Sequence, residues 1–157
     1  MGKIKSTTRR ALTTLICLSF SIITLSARTI EVGEGKAFSS ISAALHKAKA
    51  KDEILIYGKK IYKERLVIQK PITLKGVGTP IIDGGQRGDV IKVNADNVTI
   101  EGLQIQNSAR SSQVDYCGVH VKDAQFVTVR NCVFRKNQFS VMFQNCKNGL
   151  IANNNIS

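Results

Sequence analysis

The segment GVHVKDAQFVTVRNCVF, starting at Gly118, aligns without a gap on SVMFQNCKNGLIANNNI, starting at Ser140, at a spacing of 22 residues. The apolar positions coincide: Val119 falls on Val141, Val121 on Phe143, Ala124 on Cys146, Val129 on Ile151 and Phe134 on Ile156. VTIEGLQI (Val98 to Ile105) falls on VTVRNCVF at 29, and Ile72 to Gly76 falls on Val98 to Gly102 at 26. The extra length of the longest interval sits in SARSSQVDY, Ser108 to Tyr116. A period of about 22 with three short strands describes one coil of a right-handed parallel β-helix. A single coil cannot bury its own apolar side, so coils stack and share one core.

Strand alternation then sorts the side chains. Val98, Ile100, Leu103 and Ile105 point inward, with Val127, Val129, Cys132 and Phe134 stacked on them. Asn131 and Asn153 stack at a turn, where Asn tolerates left-handed backbone. All ten Asn lie at or after residue 94. Short β-branched runs fall at 54–56, 66–68, 72–74, 81–82, 90–93 and 98–100. One segment reads as helix, about 39–51. Ser39 or Ser40 caps it, and Ile41, Ala44, Leu45 and Ala48 form one apolar face. A β-helix end exposes apolar side chains and unpaired strand edges, so this helix reads as its lid.

The first 27 residues read as a secretory signal, outside the β-helix domain of residues 28–157. Lys3, Lys5, Arg9 and Arg10 precede a run without charge from Ala11 to Ala27. Cleavage near Ala27 removes those four basic residues and takes the formal charge from +12 to +8. The surplus favours anionic partners such as an acidic polysaccharide, and export argues against nucleic acid. Cys117, Cys132 and Cys146 remain, an odd number that cannot pair completely. Their inward or turn positions read as small apolar packing.

The stretch DEILIYGKKIYKERLVIQKPITLKGVGTPIIDGG (Asp52 to Gly85), followed by DVIKVNADNVTIEGLQIQNSARSSQVDYCGVHV (Asp89 to Val121), resembles the NosD family of periplasmic β-helix proteins. NSARSSQVDYCGVHV carries most of the resemblance, because an inserted loop recurs in the family at this place. The resemblance implies a periplasmic accessory role in maturing the copper sites of nitrous oxide reductase. It implies an ABC transporter, a copper chaperone and the reductase as partners. Family members are longer than this chain, so the sequence reads as an N-terminal fragment of one.

Candidate functional residues follow from the coil register. His120 points outward between Val119 and Val121, and Met142 is its equivalent one coil later. Stacked strands lie about 4.8 Å apart, and both side chains are acceptable copper ligands. The loop Ser108 to Tyr116 offers Arg110 for a carboxylate on a protein or glycan. It also offers Asp115, which would form an acid/base pair with His120 if the loop folds back. The Tyr62-Lys63-Glu64-Arg65 stretch is similar to one in pectin methylesterases, but their catalytic Asp strand is missing here. After Asp96 the carboxylates Glu101, Asp115 and Asp123 are too dispersed for a calcium-dependent lyase site or a glycosidase pair. The chain therefore reads first as a non-enzymatic copper-assembly factor. The alternatives are a polysaccharide lyase, epimerase or esterase with its active coils beyond Ser157, and a non-catalytic carbohydrate-binding module.

Overall fold

A computed structural model describes residues 27–58 and 60–157. Apart from Ala27, the segment read as a secretory signal lies outside them. Among the described residues no helix is long and apolar enough to cross a membrane.

In chain order the elements are β1 (Thr29–Val32), α1 (Ile41–Lys47), β2 (Glu53–Tyr57), β3 (Ile61–Tyr62), β4 (Leu66–Ile68), β5 (Thr73–Val77), β6 (Ile81–Asp83) and β7 (Ile91–Val93). Then follow β8 (Thr99–Glu101), β9 (Gln104–Gln106), β10 (Cys117–Lys122), β11 (Thr128–Arg130), β12 (Val133–Arg135), β13 (Phe139–Gln144), β14 (Leu150–Ala152) and β15 (Asn155–Ile156). They form three parallel sheets, ordered β1-β2-β5-β8-β11-β14, β4-β7-β10-β13 and β3-β6-β9-β12-β15. Consecutive strands of one sheet belong to consecutive coils, so the architecture is a parallel β-helix. The 22-, 26- and 29-residue registers all hold: Val119 pairs with Val141, Leu74 with Ile100, and Ile100 with Val129.

The interior is a set of aligned apolar columns. Ile54, Leu74, Ile100 and Val129 form one, and Tyr62, Ile82, Ile105 and Phe134 another. Every member is essentially excluded from water, and each such side chain contributes about 2 kcal/mol of burial. Asn131 and Asn153 both take positive φ at their corner, as expected. The side-chain ladder is made by their neighbour instead. Asn154 accepts from the Cys132 N–H (2.8 Å) and donates to the Val129 carbonyl (2.9 Å).

The lid helix is present but shorter than its apolar periodicity suggested. It runs over Ile41–Lys47, and Ala48 already has extended backbone. Residues after it are drawn into one local and one long-range bond. The Lys49 N–H donates to Asp52 (2.8 Å) and the Lys51 N–H to the Pro71 carbonyl (2.6 Å). Ser40 caps the helix, accepting from the Ala43 N–H. Ile41, Ala44 and Ala48 are buried against the first coil.

The coil that carries β4 grips both helix ends. Glu64 accepts from the N–H groups of Ile41 (3.1 Å) and Ser42 (2.8 Å) and from the hydroxyls of Ser40 and Ser42. Lys70 donates to the carbonyls of Ala48 (2.7 Å), His46 and Leu45. Negative charge at the helix start and positive charge at its end both complement the backbone dipole. Glu64, read from sequence as part of a charged cluster, is thus a structural acceptor.

Candidate functional site

On the β4-β7-β10-β13 sheet, alternation turns Leu66, Ile91, Val119 and Val141 toward the core. The residue that follows each of them faces out. This puts Val67, Lys92, His120 and Met142 in one outward column, each on the next strand. The adjacency of His120 and Met142 inferred from the repeat is therefore a direct strand register, and both are half-buried.

His120 also has partners that the repeat did not reveal. Asp89 lies in the corner preceding β7 and is buried. Its Oδ1 accepts from the Cys117 backbone N–H at 2.7 Å. Its Oδ2 lies 3.3 Å from His120 Nδ1 and 3.4 Å from the Lys92 ammonium. On the far side of the ring, Nε2 lies 3.3 Å from Gln144 Oε1. Arg65 donates to the Asp89 carbonyl at 3.1 Å, which fixes the corner's backbone.

Cys117, at the start of β10, is buried beneath this group. Asp89, Cys117 and His120 each offer one donor atom within 4.8 Å of the others. Burial pushes the Cys117 thiol up to about 12, and the carboxylates of Asp89 and Asp115 push the same way. The side chain is therefore a protonated thiol at neutral pH. The cysteine does pack inward as its register indicates, yet it also borders a carboxylate and an imidazole. Spacing could not show this, because Asp89 sits in a corner, outside strand alternation.

The carboxylate on His120 is Asp89. Asp115 stays exposed on its loop, and the Asp115–His120 pair expected if that loop folds back is not formed. Arg110 is exposed as well. With Ser111, Ser112, Asn137 and Gln138 it lines a separate shallow groove. That loop is held rather than loose. Gln138 exchanges two hydrogen bonds with Ser111 (3.0 and 2.9 Å) and donates its N–H to Ser108 Oγ (2.8 Å). Asn137 accepts from the Ser108 N–H at 3.1 Å. The structure thus unites His120 and Met142 but leaves Arg110 and Asp115 apart from them.

The donor set has the chemistry copper takes. A thiol that ionises on metallation, an imidazole and a neighbouring thioether are ligands for the soft cuprous ion, and a carboxylate beside the imidazole is a common orienting partner.

Comparisons with known proteins agree with this architecture. A curated relative, a cell surface glycoprotein of Methanothermus fervidus, is 33% identical over 93 residues, covering 58% of this chain and 16% of its own. Among solved structures, a pectin methylesterase in complex with a hexasaccharide superposes with a TM-score of 0.58 at 18% identity, over 74% of this chain and 46% of that one. Pectin methylesterase PemA from Erwinia chrysanthemi gives 0.57 at 17% identity, over 79% and 50%. The chain spans about half the length of these enzymes and about a sixth of the glycoprotein. At such identity the enzymes establish the β-helix fold alone. The family model described as periplasmic copper-binding protein (NosD) matches residues 49–157, every coil from the one after the lid helix onward. By that match, with the stacked coils and loop that first suggested it, the chain belongs to the NosD family, a periplasmic family.

Proposed function

We propose that this protein is a periplasmic accessory factor in the maturation of the copper sites of nitrous oxide reductase. It works through protein partners: an ABC transporter, a copper chaperone and the reductase itself. The observation that carries the reading is the convergence of donor atoms from His120, Cys117 and Asp89 within 4.8 Å at the start of β10, with Met142 in register with His120 on the next strand. A stiff ladder suits such a role. It presents soft donor atoms at fixed spacing and needs no bond-making chemistry of its own. His120 and Met142 are the side chains through which copper would meet the surface. Export by a cleaved signal over residues 1–27 belongs to the same reading.

The test is genetic. A nitrous-oxide-respiring host deleted for its own NosD is complemented with the gene for this protein, and the reductase is purified and its copper counted. Restored copper content is expected from the wild-type gene. A double variant, His120→Ala with Met142→Ala, should restore less than half of it at equal periplasmic level. Wild-type protein that is exported and folded, yet leaves the reductase as copper-poor as the deletion, overturns the reading.

A further inference from the structure

We infer that Cys117, His120 and Asp89 form one copper(I) site, and that Lys92 is the cation that occupies Asp89 when copper is absent. The inference rests on the copper-handling reading above and names the atoms that carry it. An outward His120–Met142 pair supplies only two donors. The structure adds Cys117, whose sulfur lies within 4.8 Å of a His120 ring nitrogen.

The geometry suits a small cation. Metal–donor bonds of about 2.0–2.3 Å hold ligand atoms roughly 3.3–4.5 Å apart. The three donor atoms already lie within 4.8 Å of one another. Side-chain rotation therefore closes the set with the β10 backbone in place. Thiolate and imidazole together select copper(I) over hard cations such as magnesium or calcium, which take oxygen donors. The binding step leaves the oxidation state of the metal unchanged. Copper(I) displaces the thiol proton of Cys117, an S–Cu bond replaces the S–H bond, and the proton leaves to solvent. The thiolate neutralises the cuprous charge, which favours holding the ion at a half-buried position.

Asp89 has one oxygen committed and one available. Oδ1 is held by the Cys117 N–H, so only Oδ2 faces the cluster. Oδ2 now bridges the imidazole and the Lys92 ammonium at 3.3 and 3.4 Å. A positive charge thus already sits where a copper ion would gain most from the carboxylate. Lys92 is half-exposed, and its long side chain can swing into water at little cost. Incoming copper therefore competes with Lys92 for Asp89.

The experiment is an anaerobic titration of the full, reduced chain with copper(I) against a chromophoric chelator. Thiolate-to-copper absorption in the ultraviolet is followed in parallel. One equivalent is expected to bind with that absorption. Cys117→Ser should lose the absorption and at least tenfold in affinity. Lys92→Ala should bind severalfold more tightly, and Cys146→Ser should match wild type. A buried serine can itself unfold the chain, so Lys92→Ala, a surface change, carries the test independently. Unchanged affinity in a folded Cys117→Ser variant, weaker binding in Lys92→Ala, or no copper(I) uptake by wild type each overturns the inference. The complementation assay is read separately. Restored reductase copper alongside a Cys117-independent titration sinks this site and leaves the functional reading standing.

Discussion

At the scale of single residues, one buried carboxylate decides how the chain enters its first coil. Asp52 is excluded from solvent. It receives the Arg28 guanidinium at 2.7 Å, the Lys49 N–H at 2.8 Å and the Arg28 N–H at 3.1 Å. The Arg28 hydrogen bond is the largest influence on its carboxyl. With the backbone donors and the Arg28 charge it outweighs burial and lowers the pKa to about 2. A carboxyl depressed in the folded state stabilises above its unfolded value, ordinarily near 3.8, and that contribution fades as pH falls toward 2. Asp52→Asn should therefore cost about 2 kcal/mol at neutral pH, read by urea denaturation. Its stability should also depend less on pH than wild type between pH 4 and 2. The same scale shows what the sequence disclosed of the candidate site. His120 and Met142 were legible because strand pairing obeys one constant offset. Asp89 was not, since a corner residue obeys no alternation and the interval from β7 to β10 carries the inserted loop. Cys117 was legible as buried, but its contact with a carboxylate was not, because contact at a corner depends on how the chain bends there.

At the scale of the element, α1 is seven residues long and would not persist alone in water. It is kept by its buried face and by the Glu64 and Lys70 grip at its two ends. Burial pushes the Glu64 carboxyl up, but bonds from Ser42, Ile41 and Ser40 outweigh it and leave it below its usual value. The sign follows as for Asp52. The grip is complete above the ordinary carboxylate range and weakens as pH falls through the depressed folded value. Glu64→Ala should destabilise the chain by about 2 kcal/mol at pH 7. Hydrogen exchange should rise at Ile41–Lys47 before it rises in β5 or β8. Equal protection of α1 and the central strands in that variant would count against the grip. Periodicity exposed the helix and its buried face. It overshot the end, because the bonds that terminate it come from Asp52 and Pro71, and only the folded coil brings Pro71 there.

At the scale of the molecule, a ladder of like coils makes stability approximately a sum over neighbours. A side chain's worth then depends on its rung. Ile100 is fully enclosed, with Leu74 on one side and Val129 on the other. Ile151 belongs to the same column and is 50% exposed. Ile100→Ala should cost about 3–4 kcal/mol and Ile151→Ala about 1 kcal/mol or less. Paired denaturant titrations read the difference, and equal costs would contradict the additive ladder. This architecture was the most legible property of the sequence, because each coil repeats the one before it and the repetition sums over the whole chain.

The loop that lengthens one coil has a consequence for how such a protein varies by descent. Lys92 and His120 are 28 positions apart in the chain, and His120 and Met142 only 22, yet each pair occupies adjacent rungs. Residues gained or lost between Arg110 and Asp115 change the length of the gene product and leave that spacing alone. Inherited changes of length are thus absorbed beside an exposed groove, while the column on β10 keeps its pitch. One corner of the coil can therefore change in length without rebuilding the face next to it.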